Sequence, residues 1–201
     1  MEASFLLLAA VALGWGLSHR DQAARIAFLA QHLSRFQIER HMQNLTQGYL
    51  RVLAEEDPER RRQGWDSFAG SENAVAGQIE NLAQAMSKEP TERTRMGRWL
   101  FHVPYVERLG PGASRDFREL LRLHAEGVRR TVDNTAGLGR KDRAFQLSAE
   151  LLLFQHSCHW FCKSRAVADT RLAAAHRVTC QKVLESVSDD TLRDYKRWLQ
   201  A

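Results

Sequence analysis

Two hundred and one residues, 44% of them hydrophobic and 26% charged, point to one folded domain with a real core, and exclude a disordered tail, a fibre or a low-complexity linker. Three cysteines cannot pair off within one chain, which excludes a disulfide scaffold. The formal charge of +5 is modest and almost wholly arginine, and the densest run, Arg60, Arg61 and Arg62, follows Glu55, Glu56, Asp57 and Glu59. That mixture reads as a solvated surface rather than the basic stripe of a nucleic-acid binder, so nucleic acid is not an expected partner.

Ala3 to Leu17 carries no charge and no strong polar group. As a helix it spans about 22 Å, short of the ~30 Å hydrocarbon core. Three readings compete. A cleaved signal peptide wants a positive leading region, but Glu2 is the only side-chain charge ahead of the run. A core helix buried on one face would keep some polar residues. An uncleaved membrane anchor accounts for the all-round hydrophobicity and for Trp15 near one end, and it is the favoured reading. Arg20, Arg25, Arg35 and Arg40 follow the run, which places the bulk of the chain on the cytoplasmic side. The expectation is a single-pass membrane protein, with residues 1–18 as tether and 19–201 as one helical domain.

From Arg20 to about Leu53 apolar residues recur at helical spacing, with the stripe shifting once near Phe36. The anchor is expected to run straight into this helix. Asp57-Pro58 stops it and opens a second helix, with proline at the first helical position, carrying Trp65, Phe68, Val75, Ile79, Leu82 and Met86. Glu92 to His102 reads as a short helix, and Val103 to Ser114, with two prolines and two glycines, as a loop. A third helix carries Phe117, Leu120, Leu121, His124, Val128 and Val132, then turns at residues 134–139. Lys141 to Val187 contains neither glycine nor proline, so it is one very long helix or two with an unmarked break. Ser188-Asp-Asp-Thr caps a terminal helix. No alternating strand pattern competes. The fold class is all-α, an antiparallel bundle of about four main helices preceded by the hydrophobic one.

All three cysteines and three of the eight histidines fall between His156 and Cys180. Cys158 and Cys162 are four apart, and so are His176 and Cys180, and i, i+4 side chains share a helical face. Two such pairs facing each other make a Cys3His tetrahedron suited to zinc. The geometry sets a condition: on an unbroken helix Cys158 and Cys180 lie about 33 Å apart. Convergence therefore needs a turn between Cys162 and His176, a stretch without Gly, Pro or Asn, or a dimer interface. The competing reading makes the cysteines small buried hydrophobes, and His124, in an apolar stripe, a hydrogen-bonded core histidine.

Met96-Gly97-Arg98-Trp99-Leu100, followed by Phe117, Leu120 and His124, resembles part of the chemoreceptor zinc-binding domain, a four-helix module of bacterial signalling proteins. The resemblance covers roughly 35 residues and implies a helical bundle with a zinc site. Thr94 stands where that family has its cysteine and Val128 where it has the second histidine of helix three, so His124 alone is kept as a ligand.

No nucleophile elbow, zinc-protease motif, phosphate loop or dinucleotide fingerprint occurs, and an enzyme is the least supported class. The function expected is a non-enzymatic, membrane-tethered bundle acting as a scaffold or assembly factor, through a protein partner or self-association. The alternative is a sensor or ligand-binding bundle that holds zinc or a similar metal at Cys158, Cys162, His176 and Cys180.

Overall fold

The computed structural model describes residues 2–200 and is all-α but for one short antiparallel strand pair. The apolar run and the helix after it form one element, α1 (Glu2–Leu33), which breaks at residues 34–37 before α2 (Ile38–Ala54). The break falls at the predicted shift of the stripe. On α2 the buried residues Ile38, Met42, Leu45, Tyr49 and Val52 keep one helical face, and continuing α1 straight would turn that face out of the core. Asp57 accepts hydrogen bonds from the backbone N–H groups of Glu59 and Arg60 and starts α3 (Pro58–Asp66), as its sequence predicts. The expected second helix is in fact two, because a turn at Ser67 and Phe68 separates α3 from α4 (Ala69–Ser87).

The region expected as a short helix is one helical turn, α5 (Thr91–Thr94), leading into β1 (Arg95–Gly97), which pairs with β2 (Ser114–Asp116) in the register Met96 opposite Arg115. Three-residue strands carry too little alternation to be read from sequence. They are held by tryptophans from elsewhere: Trp160 Nε1 donates to the Gly97 carbonyl at 3.1 Å and Trp198 Nε1 to that of Asp116 at 3.2 Å. Asp116 also caps α6 (Phe117–Val132) by accepting from the Arg118 N–H.

The glycine-free and proline-free stretch contains three helices, α7 (Arg140–Cys162), α8 (Arg165–His176) and α9 (Cys180–Leu184), before α10 (Asp189–Gln200). Polar caps make the joints. The Ser164 side chain accepts from the Val167 N–H, and the Thr179 side chain from the Lys182 N–H after Arg177 has turned into the left-handed region at φ 54°. The core centres on α6, which packs against both α4 and α7, with Ile79, Leu82, Phe117, Leu121, Leu151 and Phe161 buried and the Phe117 and Phe161 rings stacked at 4.4 Å. The α10 helix packs on α6 through Tyr195 and Trp198.

Only the second half of α1 belongs to this core. Asp21, Arg25, Phe28, Leu29 and His32 are buried at helical spacing. Arg25 reaches Asp21 at 3.0 Å and Glu107 at 3.2 Å, pinning α1 to the loop after β1. Burial alone would raise the Asp21 carboxyl, but hydrogen bonds from His102 and Arg25 and the Arg25 charge outweigh it and hold the group below the usual range. The first half stands clear, with Leu7 67%, Val11 63% and Trp15 73% exposed. Among the described residues, no helix is long and apolar enough to cross a membrane. The apolar run ends against His19, Arg20 and Asp21, and the helix beyond is committed to the bundle. The expected single-pass anchor is therefore not supported, and the cytoplasmic orientation deduced from it loses its basis.

Candidate functional site

The four residues singled out for zinc do not come together. Cys158 and Cys162 share a face of α7, as their spacing requires, and line an apolar cleft of about 580 Å³ with Leu29, Phe36 and Met42. His176 and Cys180 do not share a face: His176 ends α8 and Cys180 begins α9, with a left-handed residue and a cap between them. His176 is exposed, its Nε2 3.2 Å from Gln155 Oε1.

A different trio converges. Ligand atoms of His156, Asp169 and Cys180, from α7, α8 and the first residue of α9, lie within 4.8 Å of one another, alone among the described residues in forming such a group of three or more. The Ser164 joint folds α8 back so that Asp169 Oδ1 sits 2.8 Å from His156 Nε2. The Thr179 joint then brings Cys180 to both. His156 has no exposed side-chain surface, whereas Asp169 is 39% exposed and opens the trio to solvent. Burial lowers the His156 pKa against the pull of Asp169, so the ring is neutral at pH 7. Its Nε2–H then donates to the carboxylate, and its buried Nδ1 has no partner. Burial, reinforced by Asp169 and opposed by Arg165, pushes the Cys180 thiol up to about 11. His156 lies in the segment that drew attention in the sequence. Asp169 carried no signal, because an acid on a helix surface is the commonest of patterns and only the fold-back gives it a partner.

Neither of the other two cysteines joins the trio. Burial raises the Cys158 pKa, and that of Cys162 to about 11 despite nearby Arg25, Arg171 and Lys163.

The positions that resemble the chemoreceptor zinc-binding domain do not fit the metal. His124 is wholly buried with Nε2 2.8 Å from Ser157 Oγ, and burial lowers its pKa to about 3, leaving a neutral core imidazole. Thr94 turns its hydroxyl onto the Thr91 carbonyl, and Val128 is a core residue. No protein-family model matches the chain, and comparison with curated proteins and with solved structures finds no match.

The second feature of note is the free half of α1. Leu6, Leu7, Leu8, Val11, Leu13 and Trp15 are all exposed, and Cβ atoms built on Gly14 and Gly16 meet nothing within 4 Å. Large contiguous apolar surface marks an interaction site on a folded protein, and these six exposed side chains follow one another along a single helix.

Proposed function

We propose that the protein is a non-enzymatic interaction module that self-associates through the free half of α1. The observation that carries this reading is the exposure of that half on every side while the rest of the same helix is built into the bundle. A segment already helical before docking loses less conformational entropy than one that folds on binding, which favours association. The chain's own copy is a good partner by shape. Leu6, Ala9, Leu13 and Gly16 follow a 3–4–3 seam, the spacing that keeps one face toward a partner helix. A two-fold antiparallel pairing then sets Leu6 of one copy against Gly16 of the other, and Ala9 against Leu13. Large meets small at each step, which lets backbones approach without voids. The two bundles lie at opposite ends of the pair and do not collide.

The test is sedimentation equilibrium of the full chain from micromolar to about 100 μM, beside a Leu6→Lys/Leu13→Lys variant. Wild-type protein is expected to form dimers or larger assemblies of copies, and the variant to stay monomeric with unchanged circular dichroism, since both side chains lie outside the core. A monomeric wild type, or a variant that assembles equally well, refutes the reading. So does a monomeric chain that co-sediments with phosphatidylcholine vesicles.

A further inference from the structure

We propose that His156, Asp169 and Cys180 form a binding site for one zinc-type divalent cation, completed by a water on the Asp169 side. The three groups supply the three ligand chemistries zinc accepts, imidazole nitrogen, carboxylate oxygen and thiolate sulfur. Bonds of about 2.0–2.3 Å in a tetrahedron put ligand atoms roughly 3.3–3.8 Å apart. The three atoms already lie within 4.8 Å of one another, so closing the site takes about 1 Å of side-chain movement. That movement falls on helices joined by short capped turns at Ser164 and Thr179, where small adjustments are cheap.

The imidazole of the group is wholly buried, and its one hydrogen-bond partner is Asp169, the residue that opens to solvent. The charges also balance: one carboxylate and one thiolate neutralise a divalent ion, so the loaded site is itself neutral beside Arg165, which leans over the Trp160 ring at 5.5 Å and acts electrostatically on both His156 and Cys180. Three protein ligands and an exposed fourth position resemble the open arrangement of zinc sites that exchange a ligand, rather than the closed four-ligand structural kind. The bland reading is a helix-joining His–Asp hydrogen bond with a bystander cysteine, and it binds no metal.

The full chain, reduced, stripped with chelator and loaded with cobalt(II) or zinc(II), decides between the two. Desalted protein is expected to retain about one metal per chain, and the cobalt form to show a thiolate-to-metal charge-transfer band in the near ultraviolet with intense tetrahedral d–d bands. Excess zinc should raise Tm by roughly 5–15 °C, because the ion ties α7, α8 and α9 together and binds only the folded state. Cys180→Ala and Asp169→Asn should weaken binding at least 10- to 100-fold and abolish or blunt that shift, whereas Cys158→Ala should keep both. Retention below one tenth of an equivalent by wild-type protein overturns the proposal, as does cobalt without a thiolate band, or undiminished binding by Cys180→Ala. Should Cys180→Ala not fold, the wild-type cobalt spectrum is sufficient by itself.

Discussion

A pair of identical substitutions, Gly127→Ala and Gly77→Ala, should move stability in opposite directions. Both glycines lie in long helices, where alanine is worth about 0.8–1 kcal/mol over glycine. At Gly77 the new methyl would have only Arg129 Nη2 nearby, at 3.8 Å, so nothing opposes the gain. At Gly127 it would press on Thr191 Oγ1 and stand 2.7 Å from Glu150 Oε2, inside the distance any carbon tolerates. Neither neighbour can retreat freely. Glu150 is buried and accepts from both the backbone N–H and the hydroxyl of Ser188, each at 3.1 Å, and Thr191 is tied to the Ser188 hydroxyl at 2.9 Å. That node caps α10 onto α6 and α7. Overpacking costs about 1–3 kcal/mol, and loosening the hydrogen bonds to Glu150 adds about 1.5–3 kcal/mol if they break. The clash outweighs the helix propensity. With the propensity gain subtracted, urea unfolding should show Gly127→Ala destabilised by about 1.5–5 kcal/mol, and Gly77→Ala stabilised by about 0.5–1 kcal/mol. A neutral or stabilising Gly127→Ala would refute the placement of Glu150 and Thr191 against α6.

Three more outcomes follow from buried and capping groups. His124 has a folded pKa of about 3 against 6.5 unfolded, so as pH falls through 6.5 the unfolded chain takes up the extra proton and stability falls; the slope rises toward about 1.4 kcal/mol per unit and the loss is about 2.3 kcal/mol from pH 6.5 to 4.5. In His124→Asn the pH slope of urea stability should drop by one proton over that window, and an unchanged slope would mean the ring is not buried neutral. Tyr49→Phe removes the 2.6 Å hydrogen bond to Glu72 but leaves that carboxylate on Arg143 at 2.8 Å; it should cost about 1–2 kcal/mol, and much less in an Arg143→Ala background if the three act as a unit. Asp57→Ala removes the cap of α3 and should cost about 1 kcal/mol by thermal unfolding, with no loss at all counting against a formed helix there.

Most helices are legible in the sequence because burial on one side writes a 3.6-residue period into the chain: α6 and α10 keep their stripes from end to end. Caps with a chemical signature are legible too, as Asp57-Pro58 and Ser188 show. The joints at Ser164 and Thr179 are harder. A lone serine or threonine makes the turn there, and the same residue types sit harmlessly within helices elsewhere, as Ser148 and Thr170 do by bonding back to the carbonyl four residues earlier. Missing those joints pairs His176 with Cys180 by spacing. The fold instead pairs Cys180 with Asp169 and His156, eleven and twenty-four residues upstream.

By itself, then, the sequence determined what depends on neighbours three and four residues apart: an all-α chain, the core faces of α2, α4 and α6, the buried role of His124, and an N-terminal helix with no polar side. Only the tertiary structure decided what depends on where helices end and turn back. It let β1 and β2 form on the indoles of two distant helices, and it left half of α1 uncovered. It also gathered His156, Asp169 and Cys180 from three helices into one place. Local spacing is set by the geometry of a single helix, whereas convergence is set by the direction of the joints between helices, and a polar cap fixes that direction without leaving a distinctive residue behind.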